Sequence, residues 1–200
     1  MREKDSVVGK RRYHMLTEWI RPGRLNAMAQ VTRSPRYGSQ LRRLGHEDLP
    51  GIEMHLLSLD MVSRNSRFGC GFGDWAVTDY ARGLDVTKDI LFGATELGTD
   101  RIVGLAEARP AKAPQTVDLG VSVLASHRKR GLAHELVARA VDVAFDRDVK
   151  SIELTFAPSN VAAGRIAAKL GATIKAPGFA VVRKRPNDSL GAARPSTITG

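Results

Sequence analysis

The chain has 200 residues, 42% of them hydrophobic, with a formal net charge of +10 and a single cysteine. That is apolar material for one core with extensions. The longest apolar run falls well short of the ~20 residues that a membrane-spanning helix needs, and one cysteine excludes an internal disulfide framework.

The charge is uneven. Eleven basic residues against three acidic ones lie between Met1 and Arg43, a net +8 that leaves only +2 for the remainder. Residues 1–38 mix Gly, Pro, Ser and Arg without a sustained apolar period, so they read as a basic, flexible N-terminal extension. Such a tail is attracted to nucleic acid. However, Tyr13, Trp19 and Tyr37 are too scattered to form a stacking platform, and a solvated tail is the favoured reading. No charged-then-apolar leader with a small-residue cleavage site opens the chain, and Cys70 stands alone. The expected location is therefore the cytoplasm.

Residues 39–185 read as one domain. A short strand is expected at 40–44. From 48 to 62, Leu49, Ile52, Leu56, Leu59 and Met61 recur at near-helical spacing, with Glu47 and Asp48 at the start and Pro50 tolerated in the first turn. One helix is expected there. Residues 65–73, containing Gly69-Cys70-Gly71-Phe72-Gly73, read as a loop and 75–84 as a second short helix. Residues 89–96 and 101–109 pair as strands across the Leu97-Gly98-Thr99-Asp100 turn.

The most informative stretch follows. Val117, Leu119, Val121 and Val123 alternate as a strand with one buried face. Next comes the turn Arg128-Lys129-Arg130-Gly131-Leu132-Ala133. Beyond Gly131 the period changes: Leu132, Leu136, Ala140 and Ala144 form a helical stripe opposite Glu135, Arg139, Asp142 and Asp146. A strand, a basic glycine turn and a helix N-terminus make an anion receptor, because first-turn N–H groups lack partners and the dipole is positive there. Neither a mononucleotide P-loop nor a G-x-G-x-x-G fingerprint fits this turn. A second strand, residues 151–156, precedes Pro158-Ser159-Asn160. A helix from Val161 to Leu170 ends at Gly171. Final strands are expected at 173–174 and 179–182 around Pro177-Gly178. Residues 186–200 are polar, rich in small residues and expected to be disordered.

The turn resembles the Q/R-x-x-G-x-G/A signature of the GCN5-related N-acetyltransferases (the GNAT superfamily), with Arg128, Gly131 and Ala133 at its three defined positions. Asn160, Ala163, Lys169, Gly171 and Ala172 match a second family pattern, and the likeness covers residues from roughly 90 to 184. The resemblance implies an α/β fold: a three-layer sandwich with a central mixed, mostly antiparallel sheet, the acyl-CoA N-acyltransferase fold. It also implies acetyl-CoA as cosubstrate. Its pyrophosphate would lie on amides of Arg128, Lys129, Arg130, Gly131, Leu132 and Ala133. Unpaired backbone near Val123 and Leu124 would take the pantetheine, with Asn160 beside it. Where many members place a tyrosine that protonates the leaving thiolate, this chain has Ala167. Either another group or water supplies that proton, or the protein binds the cofactor without fast transfer.

The chemistry needs an amine deprotonated beside a thioester carbonyl. Glu107, in Gly104-Leu105-Ala106-Glu107-Ala108, is the candidate base by position, ahead of Glu153 and Asp118. The five histidines (14, 46, 55, 127 and 134) share no zinc-ligand spacing, so no metal is expected. The reading is an acetyl-CoA-dependent N-acetyltransferase with a primary-amine acceptor, monomeric or homodimeric and without membrane partners. Its alternatives are a catalytically weak acetyl-CoA-binding regulatory module and a basic nucleic-acid or ribosome-associated protein. The sequence leaves the acceptor amine and the acyl-chain preference open.

Overall fold

The computed structural model describes residues 32–34, 39–68 and 72–184. Most of the basic extension, the Gly69–Gly71 part of the expected loop and the polar C-terminal tail lie outside the described residues. Among the described residues eight strands form one sheet. They are β1 (Thr32–Ser34), β2 (Ser39–Arg43), β3 (Ile90–Glu96), β4 (Ile102–Pro110), β5 (Thr116–Val123), β6 (Ser151–Thr155), β7 (Thr173–Ala176) and β8 (Phe179–Arg183). Their spatial order is β1-β2-β3-β4-β5-β6-β8-β7. Every neighbouring pair is antiparallel except β5 and β6, which run parallel. The expected mixed, mostly antiparallel sheet is present. It begins ahead of residue 39, since Thr32 to Ser34 pair with Leu41 to Ser39.

Five α-helices among the described residues flank the sheet: α1 (Leu49–Leu57), α2 (Met61–Phe68), α3 (Asp74–Arg82), α4 (Leu132–Asp146) and α5 (Val161–Lys169). The apolar stripe read for α4 is the one it buries: Leu132, Leu136, Val137, Ala140, Val141 and Ala144. Each large member contributes roughly 1.5–3 kcal/mol against the sheet. A Cβ at Gly104 would press on Leu136 and Leu132, so α4 covers that side of β4. Glu107 points to the opposite side, because side chains alternate along a strand. There it meets Arg67 of α2 and Tyr80 of α3. His55 of α1 reaches Ser122, whose parity matches that of Gly120 opposite Glu107. The three layers are thus α4, the sheet, and the α1–α3 group.

The single helix expected over 48–62 is two. Asp60 breaks it: its carboxylate accepts from the Ser63 N–H at 2.8 Å and its carbonyl from Arg64 N–H at 2.9 Å, which starts α2. That N-cap satisfies donors that a continuous helix would have turned inward. As a result α2 extends to Phe68, into the segment expected to be loop.

Candidate functional site

The two parallel strands part company. Thr116, Val117 and Asp118 face Ser151, Ile152 and Glu153, and the pairing ends there. β5 nevertheless runs on to Val123, where β4 is its one strand partner among the described residues. Backbone groups on a strand point alternately to its two neighbours. The Gln115 carbonyl accepts from Lys150 and Ser151 on the β6 side, whereas the Thr116 carbonyl accepts from Ala111 next to β4. The same alternation turns the backbone of Leu119, Val121 and Val123 into the wedge between the strands. Leu124 is not available as expected. Its N–H donates to the Val103 carbonyl and its own carbonyl accepts from His127, both at 2.9 Å. Val121, two residues before Val123, takes its place, a step that the period of two already encodes. At the last paired rung Asp118 faces Glu153, whose carboxyl is held above the ordinary range by burial and then by the Asp118 charge.

Beyond β5 a 3-10 turn, Ala125–His127, leads into the basic segment. Lys129 and Gly131 both take left-handed backbone, with φ of 60° and 89°. Gly131 precedes α4 and no side chain caps the helix. The first helical bond runs from Glu135 N–H to the Gly131 carbonyl. The amides of Leu132, Ala133 and His134 are therefore free of intrahelical partners, at the positive end of the dipole. Arg128, Lys129, Arg130 and Gly131 are exposed. The Leu132 side chain is buried, so only its backbone serves the turn. Arg130 donates to the Ser126 carbonyl at 3.2 Å. Arg128 bends back toward α2, its Nε donating to the Val123 carbonyl at 2.9 Å and its Nη2 to Ser63 and Asp60. Asn160 also has partners: its oxygen caps α5 through Ala163 N–H at 3.0 Å, and its nitrogen donates to Ser66 Oγ at 2.6 Å.

Glu107 is fully buried and both of its oxygens are held. Arg67 Nη2 donates to Oε1 at 2.9 Å and the Tyr80 hydroxyl donates to Oε2 at 2.7 Å. Arg67 Nη2 also reaches Tyr80 Oη at 3.1 Å. Burial first, and then the Glu107 charge, raise the Tyr80 phenol above its ordinary range, so it stays protonated. Phe68 stacks on Phe72 with centroids 4.4 Å apart, and Tyr80 meets Phe68 edge-on at 5.0 Å. The Arg109 guanidinium lies 4.9 Å from the Tyr80 ring centre and pairs with buried Asp89. Arg67 Nε is buried without an acceptor among the described residues. Sequence reasoning proposed Glu107 as the base but named neither Arg67 nor Tyr80, its hydrogen-bond partners from separate helices.

His55 forms a second buried contact. Its Nδ1 faces the Ile102 carbonyl at 3.0 Å, and a carbonyl only accepts, so Nδ1 carries the proton. Nε2 then accepts from the Ser122 hydroxyl at 2.8 Å. Burial lowers the imidazole to about 4, which keeps it neutral and makes it a tie between α1, β4 and β5. Ala167 is fully buried. Among the described residues no group of His, Cys, Asp or Glu is placed to hold a metal, and no helix is long and apolar enough to cross a membrane.

The fold has parallels among known proteins. The family model described as "Acetyltransferase (GNAT) family" matches residues 65–172. The GNAT domain of a Streptomyces lividans protein, PAT, superposes with a TM-score of 0.59 at 18% identity, over 73% of this chain and 89% of that one. A ribosomal-protein-S5-alanine acetyltransferase from Vibrio fischeri gives 0.60 at 13% identity, over 79% and 97%. A putative acetyltransferase from Salmonella typhimurium, solved with its cofactor acetyl-CoA, gives 0.59 at 17% identity, over 77% and 98%. No curated protein matches the sequence.

Proposed function

The chain belongs to the acetyltransferase (GNAT) family, and on that premise we propose that it is a cytoplasmic N-acetyltransferase that moves the acetyl group of acetyl-CoA onto a primary amine. The observation that carries the reading is the wedge. β5 leaves β6 after Asp118 and ends beside an uncapped helix N-terminus. A long, thin thioester with a pyrophosphate at one end matches that shape. The amides from Lys129 to Ala133 would hold the pyrophosphate, with the Arg128, Lys129 and Arg130 charges beside them. The wedge-facing backbone of Val121 and the N–H of Val123 would align the pantetheine arm and leave an N–H for the oxyanion, while the Val123 carbonyl is held by Arg128 until it is released.

In that arrangement the amine attacks the thioester carbon directly. A C–N bond forms, the oxyanion is stabilised by a strand N–H, and its collapse breaks the C–S bond while the attacking nitrogen releases its second proton to solvent. Before attack the ammonium loses a proton. Glu107 is closed to solvent, so it acts through Tyr80, whose hydroxyl passes its proton to the carboxylate as it takes one from the amine. A concerted relay of this kind never builds up tyrosinate, which suits a phenol held above its ordinary range. Position 167 offers no phenol, and the departing thiolate takes its proton from solvent.

A free-thiol assay over a broad panel of primary amines, with acetyl-CoA and longer acyl-CoAs, tests the proposal. Thiol release that requires both substrates supports it. Tight CoA binding without release for any amine would favour the regulatory-module alternative, which the buried Ala167 also supports.

A further inference from the structure

Three residues on one face of α2 reach three parts of the site. Ser63, Ser66 and Arg67 stand three and four positions apart, so they share a face. They touch Arg128 in the basic turn, Asn160 at the head of α5, and Glu107 on β4. The contact at Arg128 is a chain: its Nη2 donates to Ser63 Oγ at 2.5 Å, and that hydroxyl donates in turn to Asp60 Oδ1 at 2.7 Å. The same Nη2 lies 3.3 Å from Asp60 Oδ2. Arg128 Nε meanwhile occupies the Val123 carbonyl, inside the wedge.

We propose that Asp60 and Ser63 set cosubstrate affinity by competing with the pyrophosphate for Arg128. The inference rests on the reading that acetyl-CoA lies in the wedge. The charges give the direction of the effect. Asp60 neutralises Arg128 and places a carboxylate beside the turn that must receive a multiply charged anion, so it repels that anion. The Val123 carbonyl is likewise held by Arg128, where the pantetheine amide would seek an acceptor. Binding the cosubstrate therefore exchanges one set of partners for another. Because Ser63 shares its helix face with Arg67, the exchange loosens an anchor of α2 one turn away from the Glu107 cluster.

The test is a double-mutant cycle read as CoA dissociation constants by titration calorimetry. Asn caps a helix as well as Asp does, so Asp60→Asn removes the charge while preserving the start of α2. Asp60→Asn and Ser63→Ala should each tighten CoA binding about two- to tenfold, the range set by a surface ion pair plus its repulsion of the ligand. In an Arg128→Ala background the gain from Asp60→Asn should vanish. Unchanged or weaker binding in Asp60→Asn overturns the proposal. So does an equal gain with and without Arg128, which would mean a diffuse charge effect. Absence of CoA binding by both wild type and Asp60→Asn is a separate failure, because it removes the cosubstrate assignment itself and the competition with it.

Discussion

Gly120 and Arg67 share one space: a Cβ built at Gly120 would fall 2.1 Å from the Arg67 Cζ. The missing side chain on β5 lets a guanidinium from α2 lie against the sheet and pair with Glu107, the residue opposite Gly120 in register. Gly120→Ala should expel that guanidinium and leave the Glu107 carboxylate with Tyr80 alone. Breaking a buried pair of this kind costs about 2–4 kcal/mol. Urea unfolding should show a lower midpoint at constant slope. The same change in an Arg67→Ala background should cost far less, because nothing is left to expel.

His55 supplies an acid-sensitive contact. In the fold the imidazole titrates at about 4, below the 6.5 of a free histidine side chain. The unfolded chain therefore binds the proton more readily between those limits. The contribution is complete above pH 6.5 and is lost as pH falls through 4. The loss should reach about 2 kcal/mol at pH 5 and about 3 kcal/mol near pH 4. His55→Gln should flatten that part of the pH profile in urea titrations. A wild-type profile as flat as that of the variant would mean that the imidazole is not buried neutral.

The basic turn and its helix were readable because their physics is local. Leu132 to Ala144 carries a helical period, Val117 to Val123 a strand period, and Gly131 marks the change with a backbone angle that favours glycine. The end of α1 was less readable because Leu59 and Met61 continue the apolar spacing across it. The stop lies in the Asp60 cap, which periodicity does not register. The surroundings of Glu107 were not readable. Arg67 and Tyr80 stand 40 and 27 positions away in sequence, and they meet the carboxylate only because α2 and α3 pack on one face of the sheet. Likewise, Ala167 signals the absence of a phenol at one place, while Tyr80 enters the site from another element.

Gly131 separates two effects. Its φ of 89° strains any residue with a Cβ by about 1–2 kcal/mol. Gly131→Ala should weaken CoA binding and lower the melting temperature slightly. Gly131→Asp adds a carboxylate where phosphate must approach backbone, and should abolish binding at millimolar CoA. Calorimetry on both variants checks this. Equal, negligible effects would move the pyrophosphate elsewhere.

Glu107 and Tyr80 make the sharpest claim about chemistry. Glu107→Gln keeps an oxygen for the Tyr80 hydroxyl but cannot accept the relayed proton, so turnover should fall about 100-fold at neutral pH, the low end of general-base effects. CoA affinity should stay nearly unchanged, because the hydrogen bonds of the carboxylate run to Arg67 and Tyr80 and not to the basic turn. The loss should shrink as pH rises and more amine arrives already deprotonated. Tyr80→Phe breaks the same relay one step earlier and leaves the Arg67–Glu107 pair intact. It should therefore reproduce the pH dependence of Glu107→Gln with less loss of stability. Steady-state rates for both variants over pH 6–9, an assay range, provide the check alongside melting curves. A Tyr80→Phe enzyme with wild-type turnover throughout would show that the proton leaves by another route, and Glu107 would then serve only to anchor Arg67 over Gly120.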